Sequence, residues 1–178
     1  TTTPAVHAAR AAITHLESCP LTNAGRGANL SINGSASLDA SMMDGSSGAF
    51  GAVGAIPSSG LQSAIEGACA VMRAEGGGRP SAAGRVAPLM LVGDGAVEWC
   101  VGAGVARGES GGGVTEGARK RWERHMGRDV QPPKESNVEA DDDVLNDTVG
   151  AVVVDADGNF ASGVSSGGIS LKIPGRVG

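Results

Sequence analysis

Asp147-Thr148 is the dipeptide in this chain whose residue types hold the most chemistry. Thr148 opens a run of β-forming residues, Val149-Gly150-Ala151-Val152-Val153-Val154, just after the acidic stretch Glu139 to Asp143. Breaking the Asp147–Thr148 bond would expose a hydroxyl nucleophile and an α-amine on one residue. That is the threonine form of base-assisted covalent catalysis. A free hydroxyl is a poor nucleophile near neutral pH and needs a base in reach. An N-terminal amine, with an ordinary pKa of about 7.7–8.0, is partly unprotonated there and supplies one. Taken by itself, a threonine at the start of a strand is more simply explained as β-branched filler.

Three other patterns compete. Gly163-Val164-Ser165-Ser166-Gly167 fits the G-x-S-x-G nucleophile elbow. That motif needs an acid and a histidine downstream, whereas His7, His15 and His125 all lie upstream. Asp155, Asp157 and Asn159 start like a calcium loop, but Gly158 is at the wrong offset and no glutamate closes the loop, so a turn between strands is expected. Ala118-Arg119-Lys120-Arg121-Trp122-Glu123-Arg124 reads equally as a nuclear-import signal or as a solvated basic helix.

These residues need elements to position them. Thr3-Pro4 reads as N-cap and first helical position, and Val6, Ala9, Ile13 and Leu16 recur at helical spacing until Pro20. Residues 28–56 switch to short strands, with Asn33-Gly34 as a tight-turn signal. A second helix is expected from Leu61 to Ala74, ended by Gly76-Gly77-Gly78, then a strand from Ala87 to Val92 and a helix from Val97 to Val105. Residues 106–147 lose periodicity and contain Gly111-Gly112-Gly113 and Pro132-Pro133. They read as a mobile linker between a core at 1–105 and a last block at 148–178. That block predicts strand, turn at Asp155 to Asn159, and strand. Helices and strands in separate blocks indicate an α+β layered sandwich.

Composition narrows the classes. The 178 residues are 40% hydrophobic and carry a net charge of −5, which suits a globular domain and argues against broad nucleic-acid binding. Cys19, Cys69 and Cys100 are odd in number and widely spaced, so neither a disulfide framework nor a zinc site is expected, and free thiols in a reducing compartment are. No apolar run nears the roughly 20 residues that span a membrane. The triplets at Asn29, Asn33 and Asn146 would accept glycans only in a secreted protein.

Several segments together resemble the threonine aspartases (taspases), a branch of the type-2 asparaginase family of N-terminal-nucleophile hydrolases. They are Thr22 to Leu30 (TNAGRGANL), Leu38 to Gly45 (LDASMMDG), Gly51 to Ala55, Ser81 to Ala96 with its LVGDGA, and Thr148 to Gly178 with SSGG and PGRVG. The likeness covers about three quarters of the chain and omits the linker. It implies an αββα sandwich, incomplete here at both ends, in a piece of a longer precursor that cuts itself at Asp147–Thr148. The expected activity is threonine-type endopeptidase cleavage of proteins after aspartate, without metal or organic cofactor. L-asparaginase or isoaspartyl dipeptidase activity is the alternative, and an inactive fragment serving only subunit or partner binding is another. Aspartate before the nucleophile (Asp147) and serine before the paired glycines (Ser166) are similar to the taspase branch.

The resemblance also implies roles. Thr148 is nucleophile and base, and Ser166 orients it. Asn23 positions a water or a donor near the developing oxyanion, or is simply a turn residue with its neighbouring glycines. Arg176 clamps the substrate carboxylate, or is a surface arginine. Gly167 and Gly168 allow close backbone approach in the substrate site. Implied partners are protein substrates with aspartate before the cut bond and a second copy in a homodimer of αβ units, in cytoplasm or nucleus, with no membrane and no direct nucleic acid.

Overall fold

A computed structural model describes residues 2–76, 84–109, 114–130 and 147–177. The glycines at 77, 78 and 111–113, Pro132-Pro133, the acidic run at 139–143, Asn146 and Gly178 lie outside the described residues, as do the first residues of the segment starting at Ser81.

Helix α1 (Pro4–Ser18) starts as its sequence dictates: Thr3 is the N-cap, its hydroxyl accepts from Val6 N–H, and Pro4 takes the first turn. Strands β1 (Ser37–Asp44) and β2 (Phe50–Pro57) form an antiparallel pair. Helix α2 (Ala64–Gly76), strand β3 (Met90–Val92) and helix α3 (Gly93–Gly102) follow. After helix α4 (Glu116–Val130), the last block adds β4 (Val149–Val154) and β5 (Phe160–Ser166). The sheet order is β3-β2-β1-β5-β4, antiparallel except for β2 with β3. The last block therefore pairs with the middle of the first, through β1 and β5.

Helices α1 and α2 lie side by side on one face of the sheet. Leu38, Ala40 and Met42 of β1 and Ala161 of β5 pack there with Val6, Ala9 and Ile13 of α1 and Ala68, Cys69 and Met72 of α2. Two glycines let the layers meet. A Cβ on Gly51 would come within 2.1 Å of the Met72 nitrogen, and one on Gly163 within 2.9 Å of Ile13 Cδ1. Along each strand alternate residues point the other way. The opposite face carries Met43, Val152, Val154, Phe160 and Val164, all exposed. The two-sheet sandwich is thus represented in the described residues by one helix layer and one sheet, an α+β arrangement.

Several boundaries differ from the sequence reading. Leu61 does not begin α2 but bridges to Arg107, and the helix starts at Ala64 because the Glu17 carboxylate of α1 accepts from Ile65 N–H at 3.0 Å. The expected strand from Ala87 shrinks to the three residues beside β2, with Ala52↔Met90 to Gly54↔Val92 in register. Helix α3 begins at Gly93 rather than Val97, with Asp94 in its first turn, where a carboxylate favours the helix dipole. The Asn33-Gly34 signal holds: Leu30 bridges Ala36, and Gly34 sits at φ +77°. The basic segment is helical, as expected of a helix within the linker, yet it is not solvated all round. Ala118 is buried, Arg121 Nη2 donates to the Gly27 carbonyl at 3.0 Å, and Trp122 Nε1 donates to the Ser31 carbonyl at 2.9 Å. The three cysteines are free, and burial pushes the Cys69 thiol up to about 12, keeping it neutral and inert.

Candidate active site

Strand pairing sets Thr148 beside Ser166. Val149 is opposite Ser165 in the β4–β5 register, so the residue before β4 meets the last residue of β5. Period two puts both on the face away from α1 and α2. Thr148 Oγ1 lies 2.8 Å from Ser166 Oγ, and Ser166 Oγ also accepts from Gly168 N–H at 2.9 Å. Ser166 Oγ is thus held between Gly168 N–H and the threonine hydroxyl, and either hydroxyl can donate to the other.

The glycine pair after β5 is held by the loop after α1. Gly167 N–H donates to the Asn23 carbonyl at 2.8 Å. Asn23 Nδ2 and Asn29 Nδ2 both donate to the Gly168 carbonyl, at 2.8 and 3.2 Å. Asn23 Oδ1 accepts from Asn29 N–H at 2.9 Å. A Cβ on Gly167 would stand 2.6 Å from both Asn23 Oδ1 and Ala28 Cβ, so this position excludes every larger residue; Gly168 sits at φ +72°. Close backbone approach is seen at Gly167, and a left-handed backbone at Gly168.

Asn23 also touches the Asp147–Thr148 bond. Its side chain is committed to Gly168 and Asn29. Its backbone N–H instead donates to the Asp147 carbonyl oxygen, the carbonyl of the Asp147–Thr148 bond, at 2.9 Å. Asp147 Oδ1 accepts from Thr148 N–H at 2.7 Å. The Thr148 hydroxyl, the Asp147 carbonyl and the Asn23 N–H therefore lie together.

A cleft of about 390 Å³ opens there, lined by Asn23, Thr148, Ser166, Gly168, His125 and Arg176 among others. Arg176 is exposed and borders it, following a turn in which its N–H donates to the Ile173 carbonyl at 3.0 Å and Gly175 takes φ +90°. A larger cavity of about 590 Å³ lies among α1, the start of α2 and the loop after α3, and holds none of the Thr148 group. The smaller cleft is the candidate site, since it contains the Thr148–Ser166 hydroxyl pair. The elbow motif fails on geometry as well: Ser165 points into the helix layer, where its Oγ donates to Glu17 at 2.5 Å. The calcium-like run is a turn, with Asp155 Oδ1 accepting from the N–H groups of Asp157 and Asn159.

Sequence reasoning missed the site roles of Asn29 and His125. Asn29 stands in the TNAGRGANL segment, but nothing periodic marks its amide as a second donor to Gly168. His125 reaches the cleft because α4 docks, with Nδ1 2.6 Å from Ser170 Oγ. Its helical spacing from Ala118, Arg121 and Trp122 is the local signal, hidden among charged residues.

Among the described residues, no helix is long and apolar enough to cross a membrane. The asparaginase family profile matches residues 1–178. An isoaspartyl peptidase/L-asparaginase of Danio rerio is 34% identical over 174 residues, which cover 98% of this chain and 50% of that protein. A plant-type L-asparaginase of Pyrobaculum calidifontis is 33% identical over 185 residues (98% and 52%). An isoaspartyl peptidase/L-asparaginase of Homo sapiens is 34% identical over 175 residues (98% and 50%). The chain spans about half the length of these curated relatives. It belongs to the type-2 asparaginase family, of the N-terminal-nucleophile hydrolase type.

Proposed function

We propose that the chain cuts its own Asp147–Thr148 bond and that the freed Thr148 then hydrolyses amide bonds of aspartyl or asparaginyl groups. The observation that carries this reading is the convergence of the Thr148–Ser166 hydroxyl pair with the Asp147 carbonyl on the Asn23 N–H. In the first stage Thr148 Oγ1 attacks the Asp147 carbonyl carbon. The Asn23 N–H meets the developing oxyanion, a contact worth about 3 kcal/mol where a donor is preorganised. The C–N bond breaks, the nitrogen takes the hydroxyl proton, and an ester joins Asp147 to Thr148 Oγ1. Water hydrolyses that ester, leaving a carboxylate on Asp147 and a free amine and hydroxyl on Thr148.

In the second stage the amine takes the proton of its own hydroxyl as Oγ1 attacks a substrate carbonyl. The leaving ammonia or amine carries that proton away, and water releases the acid. Once Asp147 has moved off, the Asn23 N–H can meet the substrate oxygen. Arg176 offers the planar fork that binds a carboxylate in two places. These steps use hydroxyl, amine and backbone groups of the chain.

The relatives named isoaspartyl peptidase/L-asparaginase favour small substrates, L-asparagine and β-aspartyl dipeptides, over the endopeptidase expectation. Two features favour the endopeptidase reading: the bond to be cut already follows an aspartate, as in a protein substrate cleaved after aspartate, and Ser166 occupies the taspase-like position. The test offers the natural protein L-asparagine, a β-aspartyl dipeptide and a long peptide with one internal aspartate. Ammonia or amino-acid release from the first two supports the asparaginase reading. Cleavage of the third alone supports the endopeptidase, and turnover of none contradicts both.

A further inference from the structure

Lys172 is a buried cation outside the reacting group: its side chain has 0% exposure. Its Nζ donates to Asp39 Oδ2 at 3.2 Å and to the Ser37 carbonyl at 3.1 Å. Asp39 is itself committed on both oxygens, because Oδ1 accepts from Ala55 N–H at 2.7 Å, where β2 takes φ +49° beside the irregular register of β1 and β2. Asp39 is also the cross-strand partner of Ser166 on the open face. The backbone around Lys172 is tied as well. Leu171, at φ +57°, donates to the Leu30 carbonyl at 2.8 Å, and the Lys172 carbonyl accepts from Ile32 N–H at 3.0 Å. Arg176 follows four residues later.

A methionine would fill much of this volume, and a well-packed apolar side chain often replaces a buried ion pair without loss of stability. What an apolar residue does not supply is one obligatory geometry, because a buried ammonium must meet its acceptors or incur a large desolvation cost. Strand β1 therefore carries two references side by side: Asp39 fixes the loop that bears Arg176, and its register with β5 fixes Ser166.

We propose that Lys172 and Asp39 are positioning residues, whose buried pair pins the loop 167–177 on β1 so that Arg176 meets a substrate carboxylate at a set distance from Thr148. The inference rests on the reading of Arg176 as the carboxylate-binding group. Removing the pair leaves the hydroxyl chemistry in place and loosens acid binding.

The test uses the natural protein and the double variant Lys172→Met/Asp39→Asn, which removes both charges while Asn keeps an acceptor for Ala55 N–H. Calorimetric binding of L-aspartate and the half-time of cleavage at Asp147–Thr148 are read with and without Arg176→Ala. The expected result is an L-aspartate Kd raised at least tenfold by the double variant, with a cleavage half-time within threefold of wild type. In the Arg176→Ala background the same pair change should alter Kd less than twofold, since coupled sites are non-additive. A general loosening would instead slow cleavage and weaken binding additively. Lys172→Arg, which keeps the charge, should restore most of the affinity. An unchanged Kd in the double variant, or full additivity with Arg176→Ala, overturns the inference. Arg176→Ala leaving Kd unchanged, or a wild type that does not bind L-aspartate, overturns the Arg176 reading and this inference with it.

Discussion

Ser165 and Ser166 are neighbours in sequence and opposites in surroundings. Ser165 points into the helix layer, where the carboxylate of Glu17 accepts from its hydroxyl, from Ser63 Oγ and from Ile65 N–H. That cluster is buried, with Glu17 3% exposed and Ser165 0%, and Glu17 and Ser63 border the larger cavity. Ser166 points to the bare face, where its hydroxyl meets Thr148 and the cleft. Both sites are hydroxyls beside polar groups, yet one is a clamp between α1, α2 and β5 and the other can admit a substrate. The two-residue period of a strand alone assigns these roles. Hydroxyl chemistry follows from access to a carbonyl as much as from residue type.

The comparison breaks most visibly if both serines are replaced in turn. Ser166→Ala removes the partner of the nucleophile and should slow self-cleavage about 10²–10³-fold, equivalent to about 3–4 kcal/mol, with thermal stability nearly unchanged. Timed intact-mass spectra and a melting curve check both halves. Gly167→Ala attacks the join between the faces. Its Cβ meets Asn23 Oδ1 and the Ala28 backbone, with Ala28 Cα at 2.8 Å, so a loss of about 3 kcal/mol is expected in urea unfolding. Ser165→Ala should do the reverse of Ser166→Ala. It leaves part of a buried carboxylate unsatisfied, costing about 1–3 kcal/mol in chemical denaturation, and changes the cleavage rate less than threefold.

The smallest effect concerns the buried Glu17 cluster. Burial holds the Glu17 carboxyl above its ordinary 4.5, against the opposing bonds from Ser165, Ser63 and Ile65. The folded state therefore retains this proton to higher pH than the unfolded chain. The stabilisation is fully present below the unfolded value of about 4.5 and is lost as pH rises through the folded pKa. Glu17→Gln removes that titration. Its stability should fall less steeply than wild type above pH 4.5 in denaturant titrations at several pH values, and a parallel pair of curves would contradict the assignment.

The local signals were strong where chemistry is local. Thr3-Pro4 set the start of α1, Asn33-Gly34 set its turn, and the Asp155-to-Asn159 turn between β4 and β5 was readable from the side chains that close it. The order β3-β2-β1-β5-β4 was not, because pairing of Met42 with Gly163 joins residues far apart in sequence with no shared periodicity. The same limit applied to the site. Thr148 was visible through its place at the head of a strand, and Ser166, Arg176 and the glycines through family likeness. The start of α2 was misjudged because its first turn is completed by Glu17 of another helix. The stretch Ala118 to Arg124 reads equally as a nuclear-import signal or a solvated helix because its charged residues hide a docking face of Ala118, Arg121, Trp122 and His125 at helical spacing.

The central claim is that the Thr148 hydroxyl breaks the bond preceding it. Intact-mass and N-terminal analysis of the natural protein beside Thr148→Ala tests this most directly. The expected result is two pieces for the wild type, the second beginning at Thr148, and one unbroken chain for the variant. Cleavage at this bond without the hydroxyl, or a catalytically active wild type that stays whole, would contradict it.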